Sequence, residues 1–437
     1  MRRALLVLAL LLAAPLPAAP LLAAAAEGGA FARLKALYAR PGGIPFPADD
    51  PYTPAKAALG EELFHEPLLS RGAGIACVSC HDPAKGLADG LALGHGVPGT
   101  SLPRHTPTLW NLAWAPTLFW DGRAPSLEAQ ASGPIENPLE MAQPLAEGVA
   151  LVAAEPRYRE GFAAAFPERP VVDAANLLSA LATFERTLVS PPTRFDRWIA
   201  GDAKALSPAE QRGFLLFNGK AACANCHEGW ALTDHAFHDI GLPGQDLGRG
   251  AVLGLTAAGH AFKTPGLREL GRSGPYMHDG RFATLDEVLD HYQDGVVQRP
   301  SLSPELRPMT LAAAERRDLL AFLATLTADE PTPAPVAVAP PVAVPPVVAT
   351  DRIEQRNRQF APTHVRMGAG DTLTIVNDDS RIHNVRISEP GLKLDTGAQA
   401  PGQTVTVAFA APGSYHVFCG IHPTMRLTVE VEPSPQH

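Results

Sequence analysis

The five cysteines of this 437-residue chain fall into three groups, and every group stands beside a histidine. "CVSCH" supplies Cys77, Cys80 and His81, and "CANCH" supplies Cys223, Cys226 and His227. Two thiols three residues apart can add to the two vinyl groups of haem, and the adjacent histidine then lies beneath the iron as proximal ligand. A thioredoxin-like dithiol or half of a zinc site also uses CxxC, but neither asks for the directly following histidine, which recurs here. Each pentapeptide reads as a covalent c-type haem site. The fifth cysteine lies in "YHVFCGIHPTM", where Cys419, His422 and Met425 form C-x-x-H-x-x-M, and "IHNV" provides His383 upstream. Two imidazoles and a thiolate in one plane, with a weak axial thioether, make a type 1 (blue) copper electron-transfer site. The plainer alternative is a free buried cysteine in an immunoglobulin-like domain, and it leaves the other three ligand types unexplained. His364 and His416 remain over and read as structural. With five cysteines given to metals, none is left for a disulfide.

The sequence around the two haem sites resembles the bacterial di-haem cytochrome c peroxidase/MauG family over nearly all of residues 50–326. The resemblance is carried by "LGEELFHEPLLS" before the first site and "PTLWNLAWAPTLFWDGRAPSLEAQASGPIENPLEM" after it. "FKTPGLRELGRSGPYMHDGRFATLDEVLDHY" carries it beyond the second. It implies a di-haem peroxidase that reduces hydrogen peroxide to water, with the first haem peroxidatic. A MauG-like oxidase, whose peroxide-derived ferryl haems oxidise a protein or small-molecule substrate, is the alternative. A non-catalytic multi-centre electron carrier is the third reading. The resemblance also assigns roles. Glu140, in "NPLEM", matches a distal glutamate that can move a proton between the two peroxide oxygens. Gln130 matches an amide that positions peroxide and water, and Trp120, in "FWDGR", matches a tryptophan between the haems. His95, in "LGHGV", falls where some members keep a loop histidine that caps the peroxidatic iron at rest.

Two departures are informative. Where the peroxidase branch has a methionine ligand to the second iron, "TLDEVLDHY" places Tyr292, as in MauG-like members. A methionine raises a haem potential, whereas an anionic oxygen favours the oxidised metal. Met277 or Met309 would ligate instead if Tyr292 only packs, and His291 and His278 are weaker candidates. The family's calcium site between the haem domains uses an asparagine where this chain has His105, and imidazole is a poor ligand for a hard cation. The backbone carbonyls of Ser273 and Pro275 are what remains of it.

Residues 351–437 resemble cupredoxins, the short ligand loop being most similar to amicyanin and pseudoazurin types. A copper domain fused to a peroxidase suggests a tethered one-electron donor, with electrons entering from a small soluble redox protein (cytochrome c or cupredoxin). Copper as the exit for electrons is the reverse reading. Hydrogen peroxide and a homodimeric second copy complete the expected partners.

The elements that must position these groups are legible in outline. In "TPAKAALGEELFHEP", Thr53 is an N-cap and Pro54 a first helical residue. Ser207 and Glu210 form a capping box around Pro208, and "AAAERRDLLAFLATL" continues the helical pattern to about residue 326. "EPTPAPVAVAPPVAVPPVVAT" is almost only Pro, Ala and Val, and favours an extended, semi-rigid spacer. Beyond it "DTLTIVND", "HNVRIS", "QTVTVAFA" and "MRLTVEVE" alternate with period two, as in a small antiparallel sandwich. The expected architecture is therefore two mainly α cytochrome c-type domains (31–200 and 201–328), a linker (329–350) and a β-sandwich cupredoxin domain (351–437). Residues 1–26 read as a secretory signal, with Arg2 and Arg3 ahead of an apolar run and small residues before Glu27, which sends the chain to the periplasm. No later stretch is long and apolar enough to span a bilayer. The net charge of −9 without any Lys/Arg cluster argues against nucleic acid.

Overall fold

The computed structural model describes residues 31–433 apart from 73, 98, 331 and 341–344. The signal sequence lies outside these residues. Thr53 caps the helix Pro54–Phe64 by accepting from the Lys56 amide, with Pro54 at its first position. This helix packs on Ala174–Thr187 and, with Tyr158, Phe162 and Ile135, forms the first core. The capping box of Ser207 and Glu210 starts the helix Pro208–Asn218, which packs on Ala313–Ala324 in a second core. Edge-to-face rings fill that core: Phe322 meets Phe195 at 5.4 Å and Phe214 at 5.6 Å, contacts that each contribute roughly 0.5–1.5 kcal/mol beyond their burial. Phe31, Leu34 and Tyr38, which precede the first haem motif, pack into this second core. The chain thus crosses between the two helical units before the first haem motif.

The C-terminal region is a two-sheet sandwich over a third core containing Ile353, Ile375, Val417 and Val429. One sheet has four strands, in the order Thr404–Ala408, Thr372–Asn377, Arg352–Arg356, Gln359–Ala361. The other has six, in the order Val348–Ala349, His364–Gly368, Arg426–Glu432, Gly413–Phe418, Arg386–Glu389, Leu392–Asp395. The period-two segments all became strands. The purely antiparallel expectation is corrected, however, because His364–Gly368 runs parallel to Arg426–Glu432 and Arg352–Arg356 parallel to Thr372–Asn377. Strand alternation reports which face is buried and is blind to the direction of the neighbour.

The Pro-rich segment is not a free spacer along its described length. Ala334 N donates to Val189 O (2.9 Å), and Ile44 exchanges bonds with Ala337 O (2.6 Å) and Ala339 N (2.9 Å). Only its prolines lack donors, so the alanines between them still pair with the first helical unit. Its last residues, Val348–Ala349, join the six-stranded sheet as an edge strand. Among the described residues no helix is long and apolar enough to cross a membrane.

Candidate haem and copper centres

In the first helical unit Cys77–Cys80 forms one helical turn, and the His81 amide closes it on Cys77 O (3.0 Å). His81 commits Nδ1 to Leu87 O (2.9 Å), which leaves Nε2 free as a ligand atom and fixes the ring. The second motif repeats the device: His227 N bonds Cys223 O (2.9 Å) and its Nδ1 bonds Leu232 O (3.0 Å). Burial pushes the thiols of Cys77 and Cys223 up to about 12, so both are neutral before attachment. Cys77, Cys80 and His81 line a cavity of about 540 Å³, and Cys223, Cys226 and His227 line one of about 200 Å³. Two unpaired thiols, a pre-oriented imidazole and an apolar cavity at each motif fit a covalently held haem.

Glu140, Gln130, Trp120 and His95 all line the first cavity. Gln130 comes from the helix Leu127–Glu136, and Glu140 from the turn after it. Asn137 Nδ2 donates to Glu140 Oε1 (2.7 Å), so one carboxylate oxygen is fixed and the other is left for chemistry. Burial raises the Glu140 carboxyl above its ordinary range, opposed by the Asn137 bond and the Arg123 charge. Val97 N bonds Glu140 O (2.7 Å), which ties the loop of exposed His95 to the glutamate. Trp120 lines both cavities and donates its indole N–H to His105 O (2.8 Å).

Around the second cavity stand Tyr292, Met309, Met277 and His278. Tyr292 lies in the π-helical turn His291–Gly295, and burial pushes its phenol pKa up, so ligation would require metal-driven loss of the proton. His291 points elsewhere, its Nε2 bonded to Ile240 O (2.9 Å), and His278 stacks on Phe262 at 3.6 Å. His105 is buried with Nδ1 committed to Leu91 O (2.7 Å).

At the far end of the chain, Cys419 follows the strand Gly413–Phe418 and Met425 precedes Arg426–Glu432. The loop between them is pinned by Cys419 N to Met425 O (3.2 Å) and Met425 N to His422 O (2.9 Å). His383 is held from the neighbouring segment by a two-bond bridge to Gln399. The three planar donors form a triangle: His383 Nδ1 to His422 Nδ1 is 3.0 Å, and Cys419 Sγ is 3.8 Å from each. Its centre lies roughly 2 Å from every corner, the bond length nitrogen and sulfur ligands require. Among the described residues this is the one cluster of His, Cys, Asp or Glu with metal-binding spacing. Met425 is fully buried beside it, and burial holds both imidazoles down, in the neutral form that binds metal. His364 and His416 are occupied elsewhere, with Glu430 and Glu389.

Sequence reasoning missed the residues that brace these centres. Asp379 accepts from His383 Nε2 (3.2 Å), and Asn384 Oδ1 receives the Gly420 amide (2.6 Å). Buried Arg249, from the second helical unit, donates Nε to Gly420 O (2.8 Å), so the copper loop is docked on the helical part of the molecule. Arg358 Nη1 reaches Asp234 (2.6 Å), and Arg381 pairs with Glu305. None of these residues carries a motif.

The profile of di-haem cytochrome c peroxidases matches residues 54–204, and that of copper binding proteins of the plastocyanin/azurin family matches 348–432. The methylamine utilization protein MauG of Methylorubrum extorquens is 50% identical over 301 residues, 68% of this chain and 85% of that one. Cytochrome c551 peroxidase of Nitrosomonas europaea is 36% identical, covering 66% of this chain and 84% of the relative. Among solved structures, a MauG-like protein associated with microbial copper homeostasis superposes with a TM-score of 0.62 at 33% identity, over 67% of this chain and 95% of that one. The chain belongs to the di-haem cytochrome c peroxidase/MauG family, and carries a cupredoxin-type copper domain after its helical part.

Proposed function

We propose that this enzyme reduces hydrogen peroxide to water at its first haem centre and draws the electrons through its own copper domain. The observation that carries the reading is Glu140, a half-buried carboxylate of raised pKa in the cavity that also holds His81 and Gln130. Haem, when bound through Cys77, Cys80 and His81, supplies the iron at which peroxide binds and its O–O bond is reduced. Glu140 takes the proton from one peroxide oxygen and returns it to the other, its fixed Oε1 aiming the second oxygen. Gln130 holds peroxide and product water, and Trp120, common to both cavities, relays electrons between the centres. The balance is H2O2 with two electrons and two protons giving two waters. His383, Cys419, His422 and Met425 would hold a copper ion, which when bound would supply those electrons one at a time. His95 caps the first cavity in the resting enzyme. A soluble cytochrome c or cupredoxin would re-reduce such a copper in the periplasm, and a calcium ion would have to rely on the Ser273 and Pro275 carbonyls.

Tyr292 at the second cavity favours a second reading, an oxidase that stores oxidising equivalents at the haem pair for a protein or small-molecule substrate. One experiment separates the two. The loaded protein is reduced, mixed rapidly with one equivalent of hydrogen peroxide, and followed at the copper's blue band and the haem bands. Blue colour within a turnover, at a rate independent of protein concentration, is expected for the tethered donor. Oxidised haems beside colourless copper would overturn that and favour the oxidase.

A further inference from the structure

Arg249 is 4% exposed, yet among the described residues it faces no carboxylate within hydrogen-bond reach. Its guanidinium lies over the Phe237 ring, 4.4 Å from the centroid, and donates only to carbonyl oxygens. Nε bonds Gly420 O (2.8 Å), while Nη1 bonds Asp121 O (3.0 Å) and Gly122 O (2.8 Å). Those three carbonyls belong to two functional stretches. Gly420 follows the copper ligand Cys419, and Asp121 follows Trp120, one of the residues that line both haem cavities. Burial pulls the Arg249 pKa down to about 10, with nearby Arg386 adding to the penalty and the Asp121 charge opposing it. A buried cation with no direct ion pair is costly even with the Asp121 charge nearby, and an apolar side chain would pack this interface more cheaply. What an apolar side chain could not do is join the two backbones.

We infer that Arg249 is the bridge by which electrons pass between the copper loop and the haem pair. The route runs from Cys419 along the chain to the Gly420 carbonyl, across one hydrogen bond into the guanidinium, and across a second into the peptide beside Trp120. Each passage takes one electron from cuprous copper, which becomes cupric, and removes one oxidising equivalent from the haem unit. Two passages and two protons complete one peroxide, so a soluble one-electron donor must re-reduce the copper between them. The inference rests on the reading that copper and haems exchange electrons, and it deepens that reading by naming the contact.

The test uses the full-length, fully loaded protein and does not depend on turnover. A pulse of one-electron reductant creates an unequal distribution, and the blue band and haem bands report its relaxation. Wild type should relax at a rate independent of protein concentration. Arg249→Met keeps the packing on Phe237 and removes every donor, so its relaxation should slow at least roughly tenfold. Its copper electron spin resonance spectrum and small-angle scattering curve should stay as in wild type. Arg249→Lys, which keeps the charge and a single donating nitrogen, should fall between the two. A docked Arg249→Met relaxing at the wild-type rate overturns the bridge. If that variant undocks, the lysine variant decides: an unchanged rate overturns the bridge and a slowed one upholds it. Absence of any such relaxation in wild type would remove the copper-exchange reading and the bridge together, whereas failure of the variants alone removes only Arg249.

Discussion

In the proposed mechanism Glu140 holds a proton for an instant, and its surroundings suit that task. Burial raises its carboxyl, so the proton-accepting carboxylate becomes populated only as pH climbs past the ordinary carboxylate range. The rate of peroxide reaction should therefore rise with pH through that raised titration. Glu140→Gln keeps the shape and the bond from Asn137, so haem attachment and its spectrum should persist. The rate should fall roughly 10²–10⁴-fold and its acidic limb should vanish, as read by stopped flow across pH. Unchanged turnover would take Glu140 out of the role. At this scale the sequence was most informative where the residue type is rare and its spacing is fixed by the metal. Cys77, Cys223 and Cys419 announce themselves because few other chemistries need those neighbours. Asp379 and Asn384 give no such signal, since "NDDSRIHN" holds six ordinary polar residues around His383. Only the fold selects which of them turns inward.

Each helical unit is built on one helix crossing, and each crossing closes at a glycine. A β-carbon on Gly60 would stand 2.0 Å from Ala180 O, and one on Gly213 would stand 2.1 Å from Asp318 O. In both cases the obstacle is partner-helix backbone, which cannot swing aside as a side chain could. Gly60→Ala and Gly213→Ala should therefore force the helices apart and destabilise their units by about 1–3 kcal/mol or more. Denaturant unfolding of the loaded protein, followed separately at the haem and blue bands, checks this. The haem transition should move to lower denaturant while the copper transition stays, because the β sandwich has its own core. Midpoints equal to wild type would mean the crossings are not tight. Capping residues and alternation made these elements legible: Thr53, Ser207 and Glu210 start helices where their chemistry says they should. The glycines were not legible as contacts, because a helical glycine reads the same whether it faces solvent or a neighbour. Nor was the pairing of Ala334 and Ala339 with the first unit, since local composition describes stiffness and not what a segment lies against.

At the scale of the molecule, docking sets what can reach the copper. His422 is 4% exposed and the other three ligands are fully buried, with Asp234 and His238 of the second helical unit close enough to act on the His422 ring. Three further contacts hold the domains together: Arg358 with Asp234 and Glu228, Arg381 with Glu305, and Arg426 with Pro116 O (3.2 Å). A tether already supplies an effective concentration of about a millimolar, so a weak latch is enough to keep the domain docked. A weak latch is also one that opens. In the docked state an external donor cannot touch any of these four side chains, so under the proposed function recharging from outside and delivery inside place opposite demands on the same contact. The paired substitution Arg358→Glu with Arg381→Glu turns two attractions into repulsions against Asp234, Glu228 and Glu305. Scattering should then show a more extended particle, and delivery from copper to haem should slow. Reduction of the copper by a small external reductant should become faster, because His422 is uncovered. Raising salt on wild type should move both rates in the same opposed directions, more weakly, since Asp234 and Glu305 are shielded from counter-ions by burial. Two rates that fall together would show damage to the copper site, and two rates that do not change would show that the latch gates nothing. Opposed changes are the signature of a domain that must leave the haems to be charged and return to them to deliver.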